Sequence, residues 1–366
     1  MDLFVEIVCV GAGAALAAKA ARVVHDTWRD ASNYARATGI VYGAWSKLIP
    51  REKINDLKSA RTVEEVARVC FEAGYAELPQ GTALIAEYEA GVQKHLRNHF
   101  APLFAAIEDK RFVAIVKARH DYANAGLFFQ ARAAGAAGAT SGRKPAFSIL
   151  GNIDFDSLWS KPLDACYAAL PPRLAAAARA GVKRAGENPR TDSNSVTLEI
   201  QKALYAELFD STRGNPFFER VLSHQVDLVN LKLLFKSNLL GERLLLERGY
   251  VVGGTVSLAA FRKSFGKTNR EILAALRGEV VERAAKRGLG EFERTGFWAS
   301  FDKACDEEFF DFLSHFARFC GAGPEIVYYY YAMKSNEAAN VLKILKAKKV
   351  GAGREVMDLV LVSSLA

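Results

Sequence analysis

Asp227-Leu-Val-Asn230-Leu-Lys232-Leu-Leu-Phe-Lys-Ser-Asn238, closed by Gly241, is the stretch on which the reading of this chain turns. Asp227 and Asn230 lie three positions apart, which puts both on one helix face beside a run of leucines. The arrangement occurs twice more. Asp121-Tyr-Ala-Asn124 precedes Gly135, and Glu337-Ala-Ala-Asn340 precedes Gly351, so acid, amide and closing glycine keep one spacing in all three copies. The acids stand 227 − 121 = 106 and 337 − 227 = 110 residues apart. That period is too long for a solenoid and implies about three similar helical bundles in one chain.

Outward from these segments the pattern continues. Each copy follows an aromatic-rich helix and a break, at residues 214–216 and 321–324 and, more plainly, at 108–110. After the first two copies, Gly151-Asn-Ile-Asp-Phe-Asp-Ser-Leu-Trp159 aligns with Gly253-Gly254-Thr-Val-Ser-Leu-Ala-Ala-Phe261. Both read as a turn capping a short amphipathic helix. A fainter fourth copy is readable at Asp30-Ala-Ser-Asn33, with Gly39 and Ile49-Pro50 after it. Apolar residues at helical spacing predict further helices over 92–107, 198–209 and 309–319, and residues 140–145 and 186–195 read as connecting loops.

Composition agrees with helix. Half of the 366 residues are hydrophobic, a quarter are charged, and only 10 are proline. The net charge of +8 suits either an anionic partner or plain solvation of helix faces. Five cysteines, odd in number and without a CxxC pair, argue against a disulfide scaffold and a zinc cluster and fit reduced thiols. Residues 3–21 are mostly apolar, but Glu6 and Lys19 interrupt them and no basic residue precedes them. Neither a secretory leader nor a membrane span is expected there, so a membrane would be met from outside or through a partner.

Candidate chemistry is thin. A buried acid–amide pair needs hydrogen-bond partners, and the same satisfied pair in each bundle would fix helix register. A metal or acid–base role is disfavoured because no His or Cys accompanies the pairs. Val10-Gly-Ala-Gly-Ala-Ala-Leu16 lacks the βαβ context of a dinucleotide loop. His95 and His99 have a metal-ligand spacing without a third ligand and read as two exposed helix histidines. Tyr328-Tyr-Tyr-Tyr331 reads as core packing rather than a base-stacking surface, since no dense basic stripe accompanies it. No nucleophile elbow is present, and no catalytic, cofactor-binding or metal-binding residue is expected.

Taken in order, these residues resemble the C-subunit family of V-type ATPases, whose eukaryotic relative is the d-subunit. Asn33-Tyr-Ala-Arg36 is similar to the family's early helix. Asp121 with Asn124, and Asp227-Leu-Val-Asn230-Leu-Lys232, are similar to its repeated D-x-x-N-x-K helices. Gly253-Gly254 is similar to the turn that follows, and residues 333–351, with Glu337 and Asn340, to the last such helix. The resemblance spans about residues 26–361. The first copy departs from it, with Ala125-Gly126 where Leu-Lys is usual.

The resemblance implies an all-α fold of three similar helical bundles around a pseudo-threefold axis, shaped as a funnel. It implies one copy per complex, capping the membrane rotor ring on the cytoplasmic side and receiving the central shaft. Torque would pass through it for ion transport, with no nucleotide, ion or nucleic acid bound by the chain itself. The expected division is an apolar extension (1–25), a helical segment able to complete the last bundle (26–90), and repeats over 91–190, 191–290 and 291–366. Two rivals remain open. An all-helical enzyme would bring the acidic motifs into one polar cavity. A nucleic-acid-binding adaptor is favoured by the pI of about 9.1 and the tyrosine run.

Overall fold

The computed structural model describes residues 32–79, 81, 83–136, 144–187 and 195–363. The extension at 1–25, the glycines at 11 and 13, Cys9 and Asp30 therefore lie outside the described residues. The fold is all-α, and no strand occurs among the described residues.

The elements are α1 (32–45), α2 (Arg51–Ser59), α3 (Val63–Glu72), α4 (Ile85–Ala106) and α5 (Lys110–Ala136). Then come α6 (Phe155–Leu158), α7 (Leu163–Ala168), α8 (Pro172–Glu187), α9 (Ser195–Thr212) and α10 (Pro216–Leu240). The chain continues through α11 (Arg243–Gly249), α12 (Leu258–Ser264), α13 (Asn269–Ala275) and α14 (Glu282–Thr295). It finishes with α15 (Trp298–Phe319), α16 (Pro324–Lys349) and α17 (Arg354–Val360). The three acid–amide pairs sit in the three long helices α5, α10 and α16.

Helix α10 shows how local sequence sets these elements. The Asn215 side chain accepts from the Phe217 and Phe218 N–H groups, and Pro216 occupies the first turn, where no N–H is needed. Gly241 ends the helix with φ +69°, a left-handed conformation costly for any residue with a Cβ.

The packing is cyclic. Each long repeat helix is followed by short helices and then by a helix that returns against it. Helix α9 returns on α5, and α15 on α10. For α16 the helix in that place is α4, from the other end of the chain, with α2 and α3 also packed on α16. Three cores result. One is built on Phe128, Phe155 and Leu174, and a second on Leu234, Phe261 and Phe301. The third and largest joins α1–α4 to α16 and runs into the centre of the molecule.

At that centre the amino-terminal turns of the three repeat helices meet. Phe112 of α5, Phe218 of α10 and Tyr328 of α16 are all buried. Their ring centroids lie 6.0, 5.8 and 6.0 Å apart around the triangle, and all three pairs are edge-to-face. That is the geometry aromatic quadrupoles prefer, and it lets three rings pack mutually. Tyr330 and Tyr331 are buried as well, so most of the tyrosine run is core.

The histidines correct the sequence reading. His95 is buried, stacked on Tyr75 at 3.9 Å, with its Nδ1 2.9 Å from Glu77. His99 is half-buried, with its Nε2 2.6 Å from the Tyr330 hydroxyl. Helix α4 is covered on more than one face, by α16 and by the segment around Tyr75, so its apolar stripe alone understated how much of it is enclosed.

Candidate functional site

The repeat helices place their amides in one role. The Asn230 Nδ2 donates to the Val251 carbonyl at 2.8 Å, and its Oδ1 accepts from the Val251 N–H at 2.8 Å. Asn124 makes the same two bonds to Ser148, both 2.8 Å, and Asn340 makes them to Val362 at 2.9 and 3.3 Å. Each amide thus bonds both backbone groups of one residue on a non-helical segment, which is what such backbone needs where it packs against the repeat helix.

The acids hold the turns that follow. Asp227 accepts from the N–H groups of Thr255 and Val256 and from the Thr255 hydroxyl, at 2.7–3.0 Å. Asp121 accepts from the N–H groups of Asn152 and Ile153 at 2.8 and 2.9 Å. Burial pushes the Asp121 carboxyl above its ordinary range, against the opposing pull of those two N–H groups and Lys117. Close approach explains the glycines. A Cβ on Gly254 would lie 2.2 Å from the Asp227 carboxylate, and one on Gly151 2.2 Å from that of Asp121. Gly253 has a separate reason, since it has φ +115° and its missing Cβ would meet the Phe209 ring. Gly151 therefore matches Gly254, not Gly253, and the alignment read from sequence shifts by one residue. The physical match also pairs Ile153 with Val256 and the N-caps Asp154 and Ser257.

The third latch is built differently. Glu337 accepts from the Ile49 N–H at 2.5 Å, from the Tyr75 hydroxyl at 2.8 Å and from Lys334 Nζ at 2.5 Å. Ile49 stands just before Pro50 and α2, as Ile153 and Val256 stand just before the caps of α6 and α12. The faint fourth copy is thus split, since its Ile49-Pro50 supplies the turn of the third. Lys334 is 1% exposed and also lies 4.7 Å from the Tyr75 ring centre. A buried ammonium so placed depends on its carboxylate.

Lys232 does not serve its own latch. It reaches Asp306 at 2.7 Å and Asp302 at 3.7 Å on α15. Burial alone would lower its pKa, but the two carboxylates outweigh burial and raise it. Two further contacts tie repeat helices together. Arg119 Nη2 donates to Gln225 Oε1, a residue 106 positions on and so at the same place in the next copy. His120 lies 2.9 Å from the Ser148 hydroxyl and 3.0 Å from that of Tyr331, bridging the first latch to α16.

Burial, and secondarily Arg119, pull the His120 pKa down to about 4. The unfolded chain would bind that proton near pH 6.5. The sign follows: stability is complete above about 6.5 and is lost as pH falls towards 4. We expect His120→Gln to flatten the acid limb of a stability–pH curve in that window, by about 3 kcal/mol if the whole shift is realised. Parallel curves for variant and parent would show that His120 titrates normally in the fold.

Sequence reasoning found the amides and acids but missed Glu337's partners, Lys334 and the aromatic triangle. The triangle carried a usable signal, since Phe112, Phe218 and Tyr328 keep the 106 and 110 spacing of the acids. No hydrogen bond or ion pair joins any two of Asp121, Asp227 and Glu337 among the described residues. Each serves its own turn. Among those residues no helix is long and apolar enough to cross a membrane.

Residues 37–358 match the family described as ATP synthase (C/AC39) subunit. The match covers most of the chain, and the chain belongs to that family. No curated protein matches it.

Proposed function

We propose that this member of the ATP synthase (C/AC39) subunit family is the non-catalytic connector of a rotary V-type ATPase. It joins the central shaft to the membrane rotor ring on the cytoplasmic face, one copy per complex, and couples ATP turnover to ion transport. The observation that carries this reading is the meeting of Phe112, Phe218 and Tyr328 from equivalent turns of α5, α10 and α16. It supports a funnel of three bundles about a pseudo-threefold axis.

The cyclic packing supports a division into three units: α5–α9, α10–α15, and α16–α17 with α1–α4. The returning helices α9 and α15 belong with the repeat helix before them, so the cuts at residues 190 and 290 are moved. Close-packed helix interiors transmit strain. That suits a part whose work is mechanical. The separate partners of the three acids disfavour an enzyme built on them, and the burial of Tyr328, Tyr330 and Tyr331 disfavours base stacking.

Affinity purification of the tagged chain from native membranes tests the assignment. Shaft and ring subunits of a rotary ATPase should come with it, while the purified chain alone turns over no ATP. ATP hydrolysis that tracks the pure protein and vanishes in Asp227→Asn would contradict the connector reading.

A further inference from the structure

Helix α10 ends in Leu239-Leu240-Gly241, and the chain turns there into α11. Leu239, Leu240 and Leu244 are 59%, 52% and 61% exposed, and Phe297, at the start of α15, is 59% exposed. A helix end and the start of the next in water have no need of three leucines exposed together, and covering them would be favourable. Leu239 also lines a cavity of about 210 Å³ together with Lys267 and Trp298, so these apolar groups and a cation share one tip.

The charge around the tip is lopsided. Residues 236–270 hold seven Lys and Arg against two Glu, a net +5 out of the chain's +8 in about a tenth of its length. One of the two acids, Glu247, is already paired with Arg243 at 3.3 Å and Arg262 at 3.2 Å. Favourable placement of cations at a helix C-terminus accounts for Arg248 in the last turn of α11 and for Arg262 and Lys263 in that of α12. It does not account for Lys267, between α12 and α13, or Arg270, in the first turn of α13, both of which are exposed. Beside the tip runs a cleft of about 510 Å³ between α8–α9 and α11. Its lining mixes apolar Leu198, Leu244 and Leu245 with Arg184, Arg243 and Arg248, and includes the acids Glu199 and Glu242. Arg184 is paired with Glu199 as Arg243 is with Glu247, and three arginines face two acids along the cleft lining.

We propose that this tip rests on an anionic bilayer surface, with the leucines in the headgroup boundary and Arg243 and its neighbours against lipid phosphate. Exposed leucines and a phenylalanine, a nearby tryptophan and flanking Lys/Arg are the side chains that hold peripheral proteins at that boundary. A cleft lined by both leucines and arginines suits a phospholipid, which carries both an apolar and an anionic part. The inference rests on the connector reading only in bringing the chain to a membrane.

The full chain is floated with phosphatidylcholine vesicles containing about a third phosphatidylglycerol, and with pure phosphatidylcholine vesicles. Binding is expected to the anionic vesicles only and to weaken as salt is raised. Leu239→Ser/Leu240→Ser/Leu244→Ser should bind roughly tenfold more weakly at an unchanged melting temperature, because these side chains are exposed. Arg243→Glu/Lys267→Glu should abolish binding. Equal affinity of the leucine variant and the parent overturns the proposal, as does failure of the parent to bind anionic vesicles. If the parent ignores vesicles and the folded leucine variant drops out of the ATPase complex, the tip is a protein interface and the proposal is overturned. A chain that binds vesicles but brings down no ATPase subunits sinks the connector reading and leaves the lipid surface standing.

Discussion

Glu337→Leu is expected to lower the free energy of unfolding by about 3–5 kcal/mol, the cost of leaving a buried ion without its partner. Lys334 is 1% exposed and Glu337 2%, so the ammonium would lose its carboxylate while almost fully buried. The Ile49 N–H and the Tyr75 hydroxyl would lose their acceptor in the same step. Glu337→Gln separates the parts: it keeps an acceptor for Ile49 and Tyr75 but removes the charge that Lys334 needs. Both variants should speed hydrogen exchange in α2 and α3, which pack on α16 through this latch. Denaturant unfolding measures the first effect. A loss below about 1 kcal/mol in Glu337→Leu would mean that the amino-terminal helices are held by apolar packing alone.

Asn230→Leu is expected to cost about 2–4 kcal/mol, because it orphans two buried backbone groups at once while nearly keeping side-chain volume. Asn230 is fully buried, and the N–H and C=O of buried Val251 both depend on it. The equivalent Asn124→Leu should cost roughly half as much, since Ser148 is half-buried and water can reach its backbone. Thermal unfolding of the pair makes the comparison. Equal and small losses would remove the latches from the account of stability.

Much of this was legible because helical spacing is a strong local signal. Asp227 and Asn230 share a face at three-residue spacing, and their recurrence with a glycine at constant distance marked three equivalent helices. The long helices α4, α9 and α15 followed from apolar periodicity in the same way. That residues 26–90 complete the last bundle was an expectation, but the contacts that do so were not legible. Glu337 meets Ile49 across 288 residues, and its acid is a Glu where the other copies have Asp. The glycine register was misread because the segment joining latch to turn is three residues longer in the first copy: Asp121 to Asn152 against Asp227 to Thr255. Gly151 and Gly253 look alike in sequence, yet the first makes room for a carboxylate and the second for the Phe209 ring. Lys232 sits within the motif but reaches out to α15, a partner that only tertiary packing supplies.

The connector claim is tested most directly in membranes that carry the rotary ATPase but have been depleted of this chain, by measuring ATP hydrolysis and ion transport together. Hydrolysis is expected to continue while transport collapses, and adding back the purified chain is expected to restore transport in proportion to the amount bound. Transport that stays coupled to hydrolysis without the chain would contradict it.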